Sequence, residues 1–189
     1  MKLNKLMFRE YDIRGIWNED ITEEISYYIG RAYATKLLSL KKNKMIVGYD
    51  NRLSSPIIEK NLVKGLTDGG VDVVRLGLVT TPMYYYAWDK LNIHCGIMIT
   101  ASHNPKEYNG FKMSYNGIHN CFGNEVAELY YIILNGIYSK GNGSITDANI
   151  KEDYIKMINS HINMGSNKLK VIYDCGNGTT SIVAKDIFV

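Results

Sequence analysis

Apolar residues recur along the chain at two different periods, and the two alternate. Ile25, Tyr28, Ile29, Ala32, Tyr33 and Leu37 fall three or four apart, which predicts an amphipathic helix over 21–40. It is opened by Asp20-Ile21-Thr22-Glu23, an N-cap with an acid three residues on. Met45-Ile46-Val47-Gly48-Tyr49 is a short apolar run and reads as a strand. Ser54-Ser55-Pro56 caps a second helix with proline at its first position, and Gly69-Gly70 stops it. Val71–Leu76 is a second strand, Thr81-Pro82 opens a helix that runs through Trp88, and 94–100 is a third strand. Phe111–Ser114 is a fourth strand, Tyr115-Asn116-Gly117 a turn, and Asn124 to about Leu134 a helix. Strands alternating with helices predict an α/β domain with a mixed, largely parallel sheet flanked by helices.

The stretch from Asn135-Gly136 to Gly143-Ser144 is rich in Gly, Asn and Ser and reads as a linker. A domain boundary is expected there, with 1–143 as one domain and 144–189 as the incomplete start of a second. Beyond it come a helix over about Lys151–Ile162, a strand over Leu169–Asp174, the loop Cys175–Thr180 and the beginning of another helix. One strand and two helices do not bury a core alone, so the second domain is expected to be cut short at Val189.

Composition narrows the class. A hydrophobic fraction of 46% suits a globular protein, and a net charge of +3 is too small to argue for nucleic acid. Cys95, Cys121 and Cys175 are odd in number and form no CxxC or metal spacing. No apolar window suits a signal peptide or a membrane span. These features predict a cytoplasmic protein with reduced thiols and no membrane partner.

Ligand crevices of open α/β sheets lie at the carboxyl ends of the strands. Three loops leave such ends here: 50–55, 100–110 and 175–180. The middle one, TASHNPKEYNG, is the informative one. Pro105 forbids helix propagation and Asn109-Gly110 favours a tight turn, so Ser102 is expected on an ordered, exposed loop. Three readings of Ser102 stand: a turn or cap serine, a hydrolase nucleophile, or a carrier of a phosphoryl group. The second lacks a GxSxG elbow, and the adjacent His103 is poorly set as its base. The third needs cations and donors, which Lys106, Lys112, Arg14, Arg52, His103 and the loop amides supply. The N-terminal FREYDIRG is either an edge strand with Arg14 in an ion pair, or a segment whose Arg14 approaches an anion while Gly15 admits close backbone.

Five blocks together resemble the α-D-phosphohexomutase superfamily, of the phosphomannomutase/phosphoglucomutase type: FREYDIRG (8–15), GYDNRLSSP (48–56), TTPMYYYA (80–87), TASHNPKEYNGFK (100–112) and VIYDCGNG (171–178). The resemblance implies a phosphotransferase that interconverts hexose 1- and 6-phosphates of mannose or glucose. Ser102 would be its phosphoserine, with a hexose 1,6-bisphosphate intermediate. It implies Mg²⁺ with the Ser102 phosphoryl oxygen as one ligand, Lys112 beside the reacting phosphoryl, His103 and Asn104 shaping the loop and assisting proton transfer, and Tyr11 and Arg14 lining the crevice. Tyr49 stands where the family often has a charged residue. The aspartate-rich DGDxDR loop that supplies the other metal ligands does not occur in these 189 residues, so those ligands are expected beyond Val189 and the isolated chain is expected to be inactive. Two rivals remain. One is a non-catalytic sugar-phosphate-binding module; the other is an interaction domain with the aromatic helix around Tyr84–Trp88 as its face.

Overall fold

The architecture is that of a computed structural model describing residues 3–163, 165 and 169–188. In chain order the elements are β1 (Ile13–Ile16), α1 (Glu23–Ser39), β2 (Lys44–Tyr49), α2 (Ser55–Asp68), β3 (Asp72–Leu78), α3 (Thr81–Lys90), β4 (Gly96–Ile99), β5 (Tyr108–Ser114), α4 (Asn124–Asn135), β6 (Ile145–Asp147), α5 (Lys151–Ser160) and α6 (Ala184–Phe188). The six strands form one sheet in the order β1-β5-β4-β2-β3-β6. The β4–β2, β2–β3 and β3–β6 pairs are parallel, whereas β5 runs antiparallel to both β4 and β1. The sheet is thus mixed and largely parallel, as its alternating sequence pattern predicts.

The central strands β2 and β4 are apolar on both faces, as strands covered by helices on each side must be. Val47, Ile97, Ile99, Phe111 and Met113 face a core shared with α1, α2 and α4. Ile46, Val74 and Met98 face a second core with α3, α5 and the segment around Val183. α1 and α2 cross at contact distance. A Cβ added at Gly30 would lie 2.3 Å from the Leu62 carbonyl, and one at Gly65 2.1 Å from the Tyr27 carbonyl. Glycine at these two positions lets the helix backbones touch.

Several boundaries differ from the sequence pattern for identifiable reasons. The cap of α1 is Thr22, whose hydroxyl accepts from the Ile25 amide. Asp20 instead accepts from the Ile16 amide and the Asn4 carboxamide, securing the end of β1. Asn109 and Gly110 are strand residues rather than a turn, because they pair with Gly15 and Arg14 of the edge strand β1. The segment read as a linker is tied down: Gly141 and Gly143 donate to the carbonyls of Asp68 and Thr67, and Ser139 to that of Gly69. It leads into β6, a three-residue strand too short and polar to register as a pattern, which adds to the outer edge of β3. The Arg75 guanidinium fixes that edge with two bonds to Asp147, at 2.8 and 3.1 Å.

One expected strand is not formed. Leu169–Asp174 is irregular and exposed, Ile172 at 90%. Its β-branched residues favour extended backbone, but among the described residues no strand lies alongside to complete a ladder, and propensity alone does not hold one. No described helix is long and apolar enough to cross a membrane. Cys95 and Cys121 are free and buried.

Glu59 is a buried carboxyl on α2 in this packing. It is 8% exposed, and its Oε1 has no hydrogen-bond partner. Burial pushes its carboxyl up to about 7, with Asp147 adding to the shift and Arg75 opposing it; Tyr49 also faces it. The folded state therefore holds this proton more tightly than the unfolded chain. Its contribution is full below pH ~4.5 and is lost as pH rises through ~7. Glu59→Gln is expected to flatten that decline by about 1–2 kcal/mol, allowing for solvent screening. Urea unfolding at pH 5 and pH 8 measures it; an equal pH dependence in both proteins would contradict the assignment.

Candidate functional site

At the carboxyl ends of β2, β3 and β4 lies a cavity of about 1250 Å³. All three loops singled out from the sequence line it, through Asn51 and Arg52, through Ser102 to Asn104, and through Gly176 to Thr180. The last is held to the first by hydrogen bonds. The Asn51 carboxamide donates to the Asn177 carbonyl at 2.7 Å and accepts from the Thr179 hydroxyl at 2.8 Å.

Ser102 is exposed at the cavity and stands at φ +56°, in the left-handed region. An L-residue there costs roughly 1–2 kcal/mol, which the surroundings must offset. The Thr100 hydroxyl accepts from the Ser102 amide at 3.0 Å, and the Asn104 amide donates to the Ala101 carbonyl. The Ser102 hydroxyl lies 3.3 Å from His103 Nδ1, long for such a bond yet within reach of proton exchange. His103 and Lys106, both exposed, line the same cavity.

Beneath the loop is a buried polar block built on the first turn of α2. Asn109 is fully buried and donates to the hydroxyls of Ser54 and Ser55 at 2.7 and 3.1 Å, while its carbonyl oxygen accepts from the Gly110 amide. Ser55 in turn donates to Asp50 at 2.7 Å. The Ser54 side chain does not cap α2; its hydroxyl instead accepts from Asn109 of β5. Gly110 must be glycine, since a Cβ there would lie 2.4 Å from the Ile13 carbonyl.

The edge strand brings Arg14 to the loop. Arg14 pairs with Asp12 and donates to the Asn104 carboxamide oxygen, and its register opposite Gly110 sets it on the sheet face opposite Ile13 and Phe111. Lys112 lies on that same face, in register with the cavity-lining Met98. No carboxylate pairs with Lys112 among the described residues. The structure therefore gathers Ser102, His103, Asn104, Lys106 and the Arg14 side chain, with Lys112 on the facing sheet surface. Tyr11, Arg14 and Lys112 are not among the residues that line the cavity, and Tyr11 is 69% exposed. Arg52 is not available as a free cation, since its guanidinium is bonded to the loop itself. Sequence reasoning overlooked Trp17 and Glu107 on the cavity wall, and gave no site role to Asp50 or Thr80–Pro82, which also line it, or to the buried Asn109. The GYDNRLSSP, NGFK and TTP blocks carried a signal for Asp50, Asn109 and Thr80–Pro82; Trp17 and Glu107 had none.

The side chains present do not by themselves fit a magnesium site. Among the described residues no three His, Cys, Asp or Glu side chains are clustered as a metal cage. Asp50, a carboxylate of the cavity wall, is already engaged by Arg52 and Ser55.

A three-layer α/β/α unit presenting an exposed serine from a clamped loop is a recognisable class, and the comparisons identify it. Residues 5–136 match the family model described as phosphoglucomutase/phosphomannomutase, alpha/beta/alpha domain I. A phosphomannomutase/phosphoglucomutase of Pseudomonas syringae pv. tomato is 41% identical, over 96% of this chain and 38% of the relative. A phosphoglucomutase of Neisseria meningitidis serogroup B is 38% identical, over 96% of this chain and 40% of its own. A crystal structure of a phosphoglucomutase/phosphomannomutase family protein from Burkholderia thailandensis matches with a TM-score of 0.92 at 31% identity, covering 99% of this chain and 42% of that one. The chain belongs to the phosphoglucomutase/phosphomannomutase family. It spans about two fifths of the length of these relatives.

Replacing Asn109 by alanine removes three buried hydrogen bonds at once. A loss of about 2–3 kcal/mol is expected in urea unfolding; a change below ~0.5 kcal/mol would show that the block does not support the loop.

Proposed function

We propose that this chain supplies the phosphoryl-carrying part of a hexose-phosphate mutase. Residues 1–143 would be the domain that bears the serine, with 144–189 opening a second. The observation that carries the reading is Ser102: a hydroxyl held out from a strained, braced loop into a cavity whose wall bears cations. A phosphoryl group moving between Ser102 Oγ and a hexose oxygen needs four things here. The serine proton must leave, and His103 Nδ1 at 3.3 Å is the group within reach. The new O–P bond forms as the donor oxygen's bond to phosphorus breaks, and that oxygen takes up a proton. The charge on the phosphoryl oxygens must be met by fixed cations. Lys112, free of any described carboxylate, and Lys106 serve that need. Arg14 acts at one remove, holding Asn104 and with it the loop.

Membership of a family named for glucose and mannose phosphates supports a hexose phosphate as substrate, and hexose 1,6-bisphosphate as the donor that loads Ser102. Mg²⁺ supplies charge neutralisation on phosphate oxygens when it is bound. The residues described would offer it at most the Ser102 phosphoryl oxygen. The 189-residue chain alone is proposed to accept a phosphoryl group without completing the interconversion.

The test is the intact mass of the chain after incubation with glucose 1,6-bisphosphate, with peptide mapping over residues 96–112. One added phosphoryl group on Ser102, absent from Ser102→Ala, is the expected outcome. Labelling elsewhere, or equal labelling of Ser102→Ala, would sink the assignment. Sustained turnover of hexose 1-phosphate by the isolated chain would overturn the claim of incompleteness.

A further inference from the structure

The Arg52 guanidinium uses every donor it has. Its Nε donates to Asp50 Oδ2 at 3.2 Å. Nη1 donates to the carbonyls of Pro105 at 2.6 Å and Tyr108 at 2.9 Å. Nη2 donates to the carbonyls of Asn104 at 2.7 Å and Ser102 at 3.2 Å. Five N–H bonds thus meet five acceptors, four of them main-chain carbonyls from a single stretch of seven residues. Up to Tyr108, where β5 begins, that stretch has no ladder of its own, so its carbonyls need donors from elsewhere. Arg52 is 12% exposed at the side chain, and its partner Asp50 is 11% exposed. Asp50 is braced in turn by the Ser55 hydroxyl at 2.7 Å and the Arg52 amide at 3.1 Å. A cation-rich loop might invite the assumption that Arg52 meets a bound anion. Its hydrogen-bonding capacity is already filled, and its charge is already paired.

We propose that Arg52 is a positioning residue: it clamps the 102–108 loop through four carbonyls and so sets the left-handed backbone from which the Ser102 hydroxyl projects, without contacting the ligand. The planar fork is the operative feature. A lysine at 52 keeps the positive charge, but its three donors radiate from a single nitrogen and do not span carbonyls spread along the loop. Charge and clamp are therefore separable by one substitution. The consequence for Ser102 chemistry rests on the proposed phosphoryl transfer; the clamp itself does not.

Two measurements on the full chain test this. In the wild-type protein, ¹⁵N spectra are expected to show the Arg52 Nη protons as separate, slowly rotating resonances that inorganic phosphate does not move. A single averaged signal, or one that shifts on phosphate titration, would overturn the clamp. In Arg52→Lys, hydrogen exchange over 101–108 is expected to accelerate at least tenfold, with exchange in α1 and β2 unchanged. Trypsin is expected to cut after Lys106 at least tenfold faster. Loading of Ser102 by glucose 1,6-bisphosphate is expected to fall at least tenfold. Unchanged loop exchange would refute the clamp. A loosened loop that loads at the wild-type rate would refute its positioning role. Arg52→Gln failing to load while Arg52→Lys loads normally would make Arg52 an anion-binding cation, and the proposal would be wrong. If the wild-type chain itself takes no phosphoryl group, the functional reading fails, and the clamp is judged on the arginine resonances and exchange alone.

Discussion

The site depends on a reversal of direction between two neighbouring strands. β4 runs parallel to β2, but β5 returns antiparallel beside it, with Ile99 opposite Phe111 and the Thr100 amide bonded to the Gly110 carbonyl. A parallel neighbour would have required a crossover through a helix and would have carried the chain away. The return instead keeps residues 100–107 at the carboxyl edge, as a loop with little hydrogen bonding of its own. That deficit explains the surroundings: the arginine after β2 and the arginine of the edge strand both turn toward it, while the carboxamide of Asn109 ties the start of β5 to the two serines opening α2.

α2 carries two duties as a result. Its midsection packs on α1 so closely that both helices carry glycine at the crossing. Its first turn has no side-chain cap, and Ser54 and Ser55 instead bond to Asn109 of β5 and to Asp50. Proline within that first turn offsets part of the loss by fixing helical φ in advance. The rigidity of the helix pair is thereby transmitted to the cavity wall, which is a sound way to hold an irregular segment in one geometry.

Much of this was legible in the sequence. Periods of three to four and continuous apolar runs marked the helices and central strands, because both faces of the sheet are buried and demand such patterns. Two of the cavity loops, after β2 and β4, followed from the rule that parallel strands end together; the third, 175–180, lines the cavity although the strand expected before it is not formed. Other features were hidden for physical reasons. β6 has three residues and a polar register, so nothing periodic betrays it. Leu169–Asp174 has the composition of a strand but no neighbour to make it one. Asn109-Gly110 has the chemistry of a turn, overridden here by pairing with Arg14 and Gly15. The part played by Arg52 depends on four carbonyls fifty and more positions away, and a charged residue in a list of cations carries no hint of direction. Tyr11 shares a block with Arg14, but its side chain is largely exposed rather than bonded to the loop.

The positive φ at position 102 has a bearing on which alcohol can stand there. Serine and threonine offer the same hydroxyl, but threonine's branched Cβ crowds the backbone in the left-handed region far more than serine's does. The handedness of one peptide unit therefore discriminates between two side chains that carry the same hydroxyl. A change that relaxed the backbone at this residue would open the position to threonine, and a change that tightened it would push toward glycine or asparagine, which carry no hydroxyl. The narrow tolerance for serine is in this sense a property of the main chain.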